Sequence, residues 1–264
     1  MSSPVTNRVK DRIARGELAL CMASRLARTA DLGMMADTCG FDSFYIDIEH
    51  SSISIDAAAQ MIAAALPVGI APMARIPGHD FDMAARLLDA GALGIICPQV
   101  DTAEQAKAMV AACKFPPLGH RSVAGSGPLQ FYRPTALADV NSQGNALTLC
   151  IPMLETQRGV DNAEAIAAVP GIDILLIGSN DLSAELGIPG DLKHPKIRAA
   201  YEITARACNK HGKCLGIGGV RGDAALAADL VKLGARFMIA GLDAGYMMQA
   251  AKADVAALRK ATGS

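Results

Sequence analysis

Eight short apolar runs recur along this chain, and each is followed by a stretch with helical spacing. The runs occupy residues 18–22, 44–48, 71–75, 94–98, 147–154, 172–177, 214–217 and 237–240. They are continuous rather than alternating, which is the pattern of parallel strands covered on both faces. Helical spacing fills 29–39, 55–65, 80–90, 102–113, 159–169, 195–211, 223–233 and 244–261. Several of these stretches open on Asp, Ser or Thr and stop before Gly, as at Cys39-Gly40, Ala90-Gly91, His211-Gly212 and Leu233-Gly234. Eight strand–helix units predict an α/β fold of the closed (β/α)8, or TIM-barrel, type. A doubly wound open sheet is the rival that the count of eight disfavours. A length of 264 residues suits one such barrel, and no Pro/Gly/Ser-rich linker divides it, so residues 1–264 are expected to form a single domain. Residues 114–146 show no period; a loop of that length in a compact domain is usually functional. The Ala- and Met-rich stretch 244–261 is expected to pack on a neighbouring subunit.

Composition narrows the function. Hydrophobic residues make up 51% and aromatics 4%, so the core is built from aliphatic side chains and Met. A formal net charge of −1 with no Lys/Arg block excludes a nucleic-acid binder. Seven scattered cysteines without metal spacing read as buried thiols of a reducing compartment. Residues 1–17 lack the apolar region of a secretory signal, and no apolar run approaches the roughly 20 residues of a membrane span. The expectation is a cytoplasmic protein without a membrane partner.

In a barrel of this kind, polar groups at the carboxyl ends of the strands line the active face. The second run leads into Asp47-Ile48-Glu49-His50, the third ends at Arg75, the fifth at Glu155, and the sixth runs into Gly178-Ser179-Asn180-Asp181. Glu155 and Asp181, on neighbouring strands, repel each other unless a divalent cation joins them; the alternative is two solvated carboxylates or a salt bridge to an arginine. His50 is either a proton shuttle or a structural loop residue. Asp89, at a helix end, either orients His50 or is an ordinary polar terminus. Arg75 ends a buried strand, so it faces an anionic ligand or pairs with Asp47 or Glu49. The segment from Gly178 to Asp181 is either an anion seat or a helix cap. The Gly216–Gly219 run is a candidate phosphate loop, although a tight turn is the commoner use of such spacing. His79, His120, His194 and His211 have no partner spacing and read as surface or loop residues.

Taken in order, these segments resemble the class II pyruvate-dependent aldolases of the HpcH/HpaI type, within the phosphoenolpyruvate/pyruvate barrel superfamily. The matching stretches include Asp47-Ile48-Glu49-His50, Ala74-Arg75-Ile76-Pro77, Leu88-Asp89-Ala90-Gly91-Ala92, Phe115-Pro116-Pro117-Leu118-Gly119-His120-Arg121, Leu154-Glu155-Thr156 and Ile177-Gly178-Ser179-Asn180-Asp181. The resemblance implies metal-dependent, reversible cleavage of 4-hydroxy-2-oxoacids to pyruvate and an aldehyde. It implies Glu155 and Asp181 as ligands of Mg²⁺ or Mn²⁺, with Co²⁺ as a further option. His50 would be the acid/base supported by Asp89, Arg75 the enolate stabiliser, and the Ser179–Asn180–Asp181 segment the carboxylate seat. It also implies a homohexamer. A CoA-thioester lyase of the malyl or citramalyl type is the alternative on the same barrel. Two departures bear on substrate preference. Met153 stands where members often carry Gln, and the first strand runs Leu20-Cys21-Met22-Ala23-Ser24-Arg25 in a chain without Trp.

Overall fold

The computed structural model describes residues 4–263. Eight parallel strands close into one barrel in sequence order: β1 (Ala19–Ser24), β2 (Ser43–Asp47), β3 (Ala71–Arg75), β4 (Gly94–Cys97), β5 (Leu149–Leu154), β6 (Ile174–Gly178), β7 (Cys214–Gly218) and β8 (Ala235–Leu242). The helices are α1 (Arg8–Ala14), α2 (Leu32–Thr38), α3 (Ile55–Ala65), α4 (Phe81–Asp89), α5 (Ala103–Cys113), α6 (Leu137–Leu147), α7 (Gln157–Asp161), α8 (Ala163–Ala167), α9 (Ser179–Glu185), α10 (Pro195–His211), α11 (Ala224–Lys232) and α12 (Asp243–Thr262). The expected closed α/β barrel is what forms.

Continuous apolar strands are explained by two separate cores. Ala23, Tyr45, Met73, Ile151, Met153 and Leu176 belong to a cluster that fills the barrel. Phe44, Ala74, Leu154, Leu175 and Ile177 belong to the shell under the helices. Because side chains alternate along a strand, the residue two beyond an inner one also points inward. Tyr45 therefore aims Asp47, Met73 aims Arg75, and Met153 aims Glu155 toward the barrel mouth. Registry places Asp47 directly beside Arg75.

Three differences from the sequence expectations have clear causes. The polar opening segment forms α1, which closes the amino end of the barrel: Val9 is fully buried, and the Asn7 amide donates to the Leu93 and Leu147 carbonyls at 3.1 and 2.7 Å. The stretch 114–146 is not one irregular loop, because it contains most of α6. That helix carries Asn, Ser and Gly, all poor helix formers, but it is held by tertiary contacts. Asn145 accepts from Phe115 N at 2.7 Å and donates to Phe115 O at 3.0 Å, and any Cβ at Gly144 would meet the Phe115 ring at 2.7 Å. The helix expected at 159–169 is split into α7 and α8 at Asn162, whose amide is drawn aside to the Asp101 carbonyl at 2.8 Å.

The last helix, α12, buries none of its residues. Beside it, Leu18, Ala224, Ala227, Ala228, Val231 and Met238 line an apolar hollow. No helix of the described residues is long and apolar enough to cross a membrane.

Candidate active site

Asp47 and Arg75 anchor one side of the mouth. Asp47 is fully buried and Arg75 is 4% exposed. Arg75 Nε donates to Asp47 Oδ1 at 3.0 Å and its Nη2 to Oδ2 at 2.5 Å. Arg25 Nε, from the loop after β1, reaches the same Oδ2 at 2.5 Å. Burial opposes ionisation of Asp47, but these guanidinium bonds outweigh it and hold the carboxyl below the usual range. Burial likewise opposes charge on Arg75, and Asp47 more than offsets it, so its pKa is raised. The salt-bridge alternative for Arg75 is therefore present, with Glu49 as a further partner at 3.2 Å. One nitrogen is left over. Nη1 makes no bond to Asp47 and lies 4.0 Å from Met153 Sδ.

Glu155 anchors the opposite side and is 6% exposed. Among the described residues its only hydrogen bond is from Gln99 N at 2.9 Å. Burial first, and the charge of Asp181 second, push it up to about 7. Its side chain lies over Gly178, where a Cβ would stand 2.6 Å from Oε2, so the β6 glycine is the space into which the carboxylate fits. Gln99 adopts φ +52, an unfavourable conformation for a residue with a Cβ. His79 bridges that turn, with Nε2 3.0 Å from the Pro98 carbonyl and 3.2 Å from the Gln99 carbonyl. His79 is thus a loop residue, as expected, but one that supports the site, which sequence spacing does not show. No local motif marks it, because its partners are backbone carbonyls of another strand end.

Asn180 and Asp181 are exposed and line a cavity in the mouth with Arg25, Tyr45, Arg75 and Met153. Ser179 lines the same cavity, and its buried hydroxyl is bonded to Tyr201 OH at 2.8 Å, which leaves its backbone for the expected anion seat. The Gly216–Gly219 run contributes Gly218 and Gly219 to the same wall.

His50 stands at the same end of the barrel, with its side chain 48% exposed and Nε2 3.6 Å from Glu49 Oε2. That oxygen is buried and, among the described residues, makes no hydrogen bond, although Arg75 Nε pairs with it at 3.2 Å. Asp89 lies apart from His50 within one chain. It ends α4 just before β4 begins, which is the amino end of the barrel, whereas His50 follows the carboxyl end of β2. Asp89 pairs instead with Arg121 at 2.7 Å. Within one chain Asp89 does not orient His50; the two can meet only across a contact between copies.

Asp243, at the start of α12, was not anticipated. Its Oδ2 accepts from Leu26 N and Ala27 N at 2.9 Å each and from Ser24 Oγ at 3.1 Å, and both oxygens accept from Arg25 N at 3.2 Å. It thereby fixes the loop that carries Arg25. Although burial opposes its charge, these backbone donors win and lower its pKa.

Among the described residues, no group of three or more His, Cys, Asp or Glu gathers in a form able to hold a metal. Glu155 and Asp181 are a two-carboxylate pair, the small protein share that Mg²⁺ often accepts, since it keeps waters and substrate oxygens for its other positions.

A family model described as HpcH/HpaI aldolase/citrate lyase matches residues 26–250. A 4-hydroxy-4-methyl-2-oxoglutarate aldolase of Chaetomium globosum is 36% identical over 248 residues, 93% of this chain and 92% of that protein. A hydroxypyruvate/pyruvate aldolase of Chromohalobacter salexigens is 38% identical over 214 residues, 81% of this chain and 83% of that one. The crystal structure of an HpcH/HpaI aldolase from Desulfitobacterium hafniense DCB-2 superimposes with a TM-score of 0.89 at 29% identity, covering 95% of this chain and 96% of the other.

Proposed function

The chain belongs to the HpcH/HpaI aldolase/citrate lyase family, and from that premise we propose that it is a class II aldolase, a carbon–carbon lyase that reversibly splits 4-hydroxy-2-oxoacids into pyruvate and a carbonyl compound. The observation that carries this is the pairing, at one barrel mouth, of a buried glutamate raised to about 7 with a guanidinium locked in place by a buried aspartate. The first is desolvated and repelled by Asp181; the second is a fixed positive charge with one nitrogen to spare. The relatives above, named as aldolases, support this over the thioester-lyase alternative. Their names do not agree on one substrate and leave the carbonyl half open.

The fit to a divalent cation rests on Glu155, whose desolvated carboxyl has no ion-pair partner among the described residues and faces the charge of Asp181. Glu155 and Asp181 would be the ligands, with Mg²⁺, Mn²⁺ or Co²⁺ as candidates. When bound, the cation supplies Lewis-acid polarisation of the 2-oxo group. The remaining work falls to the chain. The backbone from Ser179 to Asp181 faces the substrate carboxylate. His50, with Glu49 beside it, takes the proton of the 4-hydroxyl. The C3–C4 bond breaks, C4 becomes a carbonyl, and the electron pair goes to the pyruvate enolate. Arg75 Nη1 donates toward the enolate oxygen, where negative charge grows. A proton returned to C3 completes pyruvate.

Incubation of pyruvate in D₂O tests this. Methyl-proton exchange is expected to stop in EDTA and return with Mn²⁺ or Mg²⁺; full exchange in chelator overturns the proposal.

We also propose a homo-oligomer in which α12 of one copy covers the apolar hollow beside β8 of another. Leu258→Asp is expected to lower the mass measured by light scattering, and an unchanged mass removes α12 from the interface.

A further inference from the structure

The cavity at the mouth is more cationic than pyruvate chemistry requires. Three guanidiniums line it, those of Arg25, Arg75 and Arg221, against the single carboxylate of Asp181. Arg75 is committed to Asp47 and, through its remaining nitrogen, to the reacting oxygen. Arg25 is committed only in part, and Arg221 not at all. Arg25 binds Asp47 through Nε alone, and among the described residues its terminal nitrogens make no hydrogen bond. Arg221 stands on an exposed turn between Gly219 and Gly222, both at positive φ. Its guanidinium has no ion pair or hydrogen bond among the described residues, yet it lines the cavity. A guanidinium presents a planar fork that matches a carboxylate.

We propose that Arg25 and Arg221 form a second carboxylate seat, and that the substrate carries this carboxylate on the carbinol carbon itself. The acceptor half is then a 2-oxoacid rather than a simple aldehyde. This rests on the aldolase assignment and names the substrate class that assignment leaves open.

Geometry sets where the second carboxylate must be. Arg25 Nε and Arg75 Nη2 end on the same Asp47 oxygen, each at 2.5 Å. The two guanidiniums therefore sit side by side, separated by no more than those two bonds. Arg75 serves the enolate oxygen, one atom from the chain that bears the breaking bond. A carboxylate attached directly to C4 falls within reach of the neighbouring Arg25, whereas one several methylenes away overshoots it. The seat is built rather than incidental. Asp243 clamps the Arg25 backbone through the four donors described above, and the first turn of α12 brings Tyr246 close enough to Arg221 to feel its charge. β8, which leads into α12, lies between the strands that deliver the two arginines. Cleavage balances without any co-reactant: the C3–C4 bond breaks, C4 becomes the keto carbon of the released 2-oxoacid, and C3 takes a proton to give pyruvate.

The test is a comparison of kcat/KM on three substrates. These are 4-hydroxy-4-methyl-2-oxoglutarate, with its second carboxylate on C4; 4-hydroxy-2-oxopentanoate, with none; and 4-hydroxy-2-oxoheptanedioate, with a remote one. The wild-type protein is expected to prefer the first over each of the others. Arg221→Met is expected to lower the first-to-second ratio by about 10- to 100-fold, chiefly through KM, as loss of a charged hydrogen bond does. Arg221→Lys recovers part of that loss. Arg25→Met is expected to act in the same direction. A ratio within twofold of wild type in both Met variants overturns the seat, and so does wild-type preference for the remote carboxylate. Arg221 is exposed, so its substitution leaves folding out of the question. Wild-type protein that exchanges pyruvate protons but shows an unaltered ratio in the variants brings down the seat alone. Wild-type protein that exchanges none brings down the aldolase assignment with it.

Discussion

Asp47 and Glu155 occupy matching places on opposite sides of one barrel mouth. Each is an inward carboxylate at or just past the carboxyl end of its strand, and each is almost fully buried. Yet one is held below the usual carboxylate range and the other is lifted to about 7. Burial pushes both upward. The difference is that Asp47 receives two guanidiniums, whereas Glu155 receives one backbone N–H and the repulsion of Asp181. A desolvated carboxylate with its countercharge supplied by the fold is architecture. One without such a countercharge is the carboxylate we propose as a cation ligand.

The contrast breaks most visibly if the two roles are exchanged. Glu155→Gln is expected to lower metal-dependent pyruvate exchange by at least about 10³-fold, on the order of 4 kcal/mol in the barrier. It should also abolish Mn²⁺ binding by calorimetry while leaving the fold intact. Asp47→Ala should do the reverse to the fold. It strands buried Arg75, and unpairing a buried charge costs about 3–5 kcal/mol. Chemical denaturation would show that loss, and a variant as stable as wild type would mean that Glu49 alone can satisfy Arg75.

How much of this was legible beforehand follows from where the signals lie along the chain. The barrel could be read because burial on two faces writes continuous apolar runs. Arg75, Glu155 and Asp181 could be placed at its mouth because each follows such a run immediately. Asp89 is far from His50 within one chain, which the sequence could not show because a polar helix end carries no mark of which end of the barrel it occupies; the parallel topology decides that. Ser179 adds a detail that the sequence does not carry. Its position beside the mouth is as expected, but its hydroxyl turns outward to Tyr201, and sequence order does not report side-chain direction at a strand-to-helix turn. Asp243 and His79 left no trace because each works on backbone groups of distant segments.

A smaller effect sharpens the same comparison through pH. The folded pKa of Glu155 lies above its ordinary value near 4.5. The native state therefore holds a proton that the unfolded chain releases earlier, and the linked stability is complete below about 4.5 and lost as pH rises through about 7. The shift corresponds to about 3 kcal/mol. Denaturant midpoints in EDTA should fall between pH 5 and 8 more steeply for wild type than for Glu155→Gln; parallel profiles would mean that the glutamate ionises freely. Asp47 has the opposite sign: its contribution is present above its unfolded pKa and is lost only in acid. Added Mn²⁺ should flatten the wild-type slope, because the cation stabilises the ionised carboxylate.

The smallest expected effect concerns how Glu155 is held. Its one donor, Gln99 N, belongs to a residue at φ +52, which a chain with a Cβ adopts at a cost of about 1 kcal/mol. His79 Nε2 spans the two carbonyls of that turn, so its proton resides on Nε2, and the ring is held by stacking on Phe81. Remove the ring and the turn is free to relax, carrying the N–H away from Glu155. Loss of such an outer partner typically weakens metal binding about 10- to 100-fold, and the low end is expected here because Glu155 remains confined against Gly178. His79→Ala should therefore weaken Mn²⁺ binding about 10-fold in titration calorimetry. His79→Gln, which restores an N–H donor without the ring, should recover part of the affinity. If His79→Ala binds Mn²⁺ as wild type does, the strained turn holds itself, and the contrast between a carboxylate fixed by side chains and one fixed by backbone would rest on Gln99 alone.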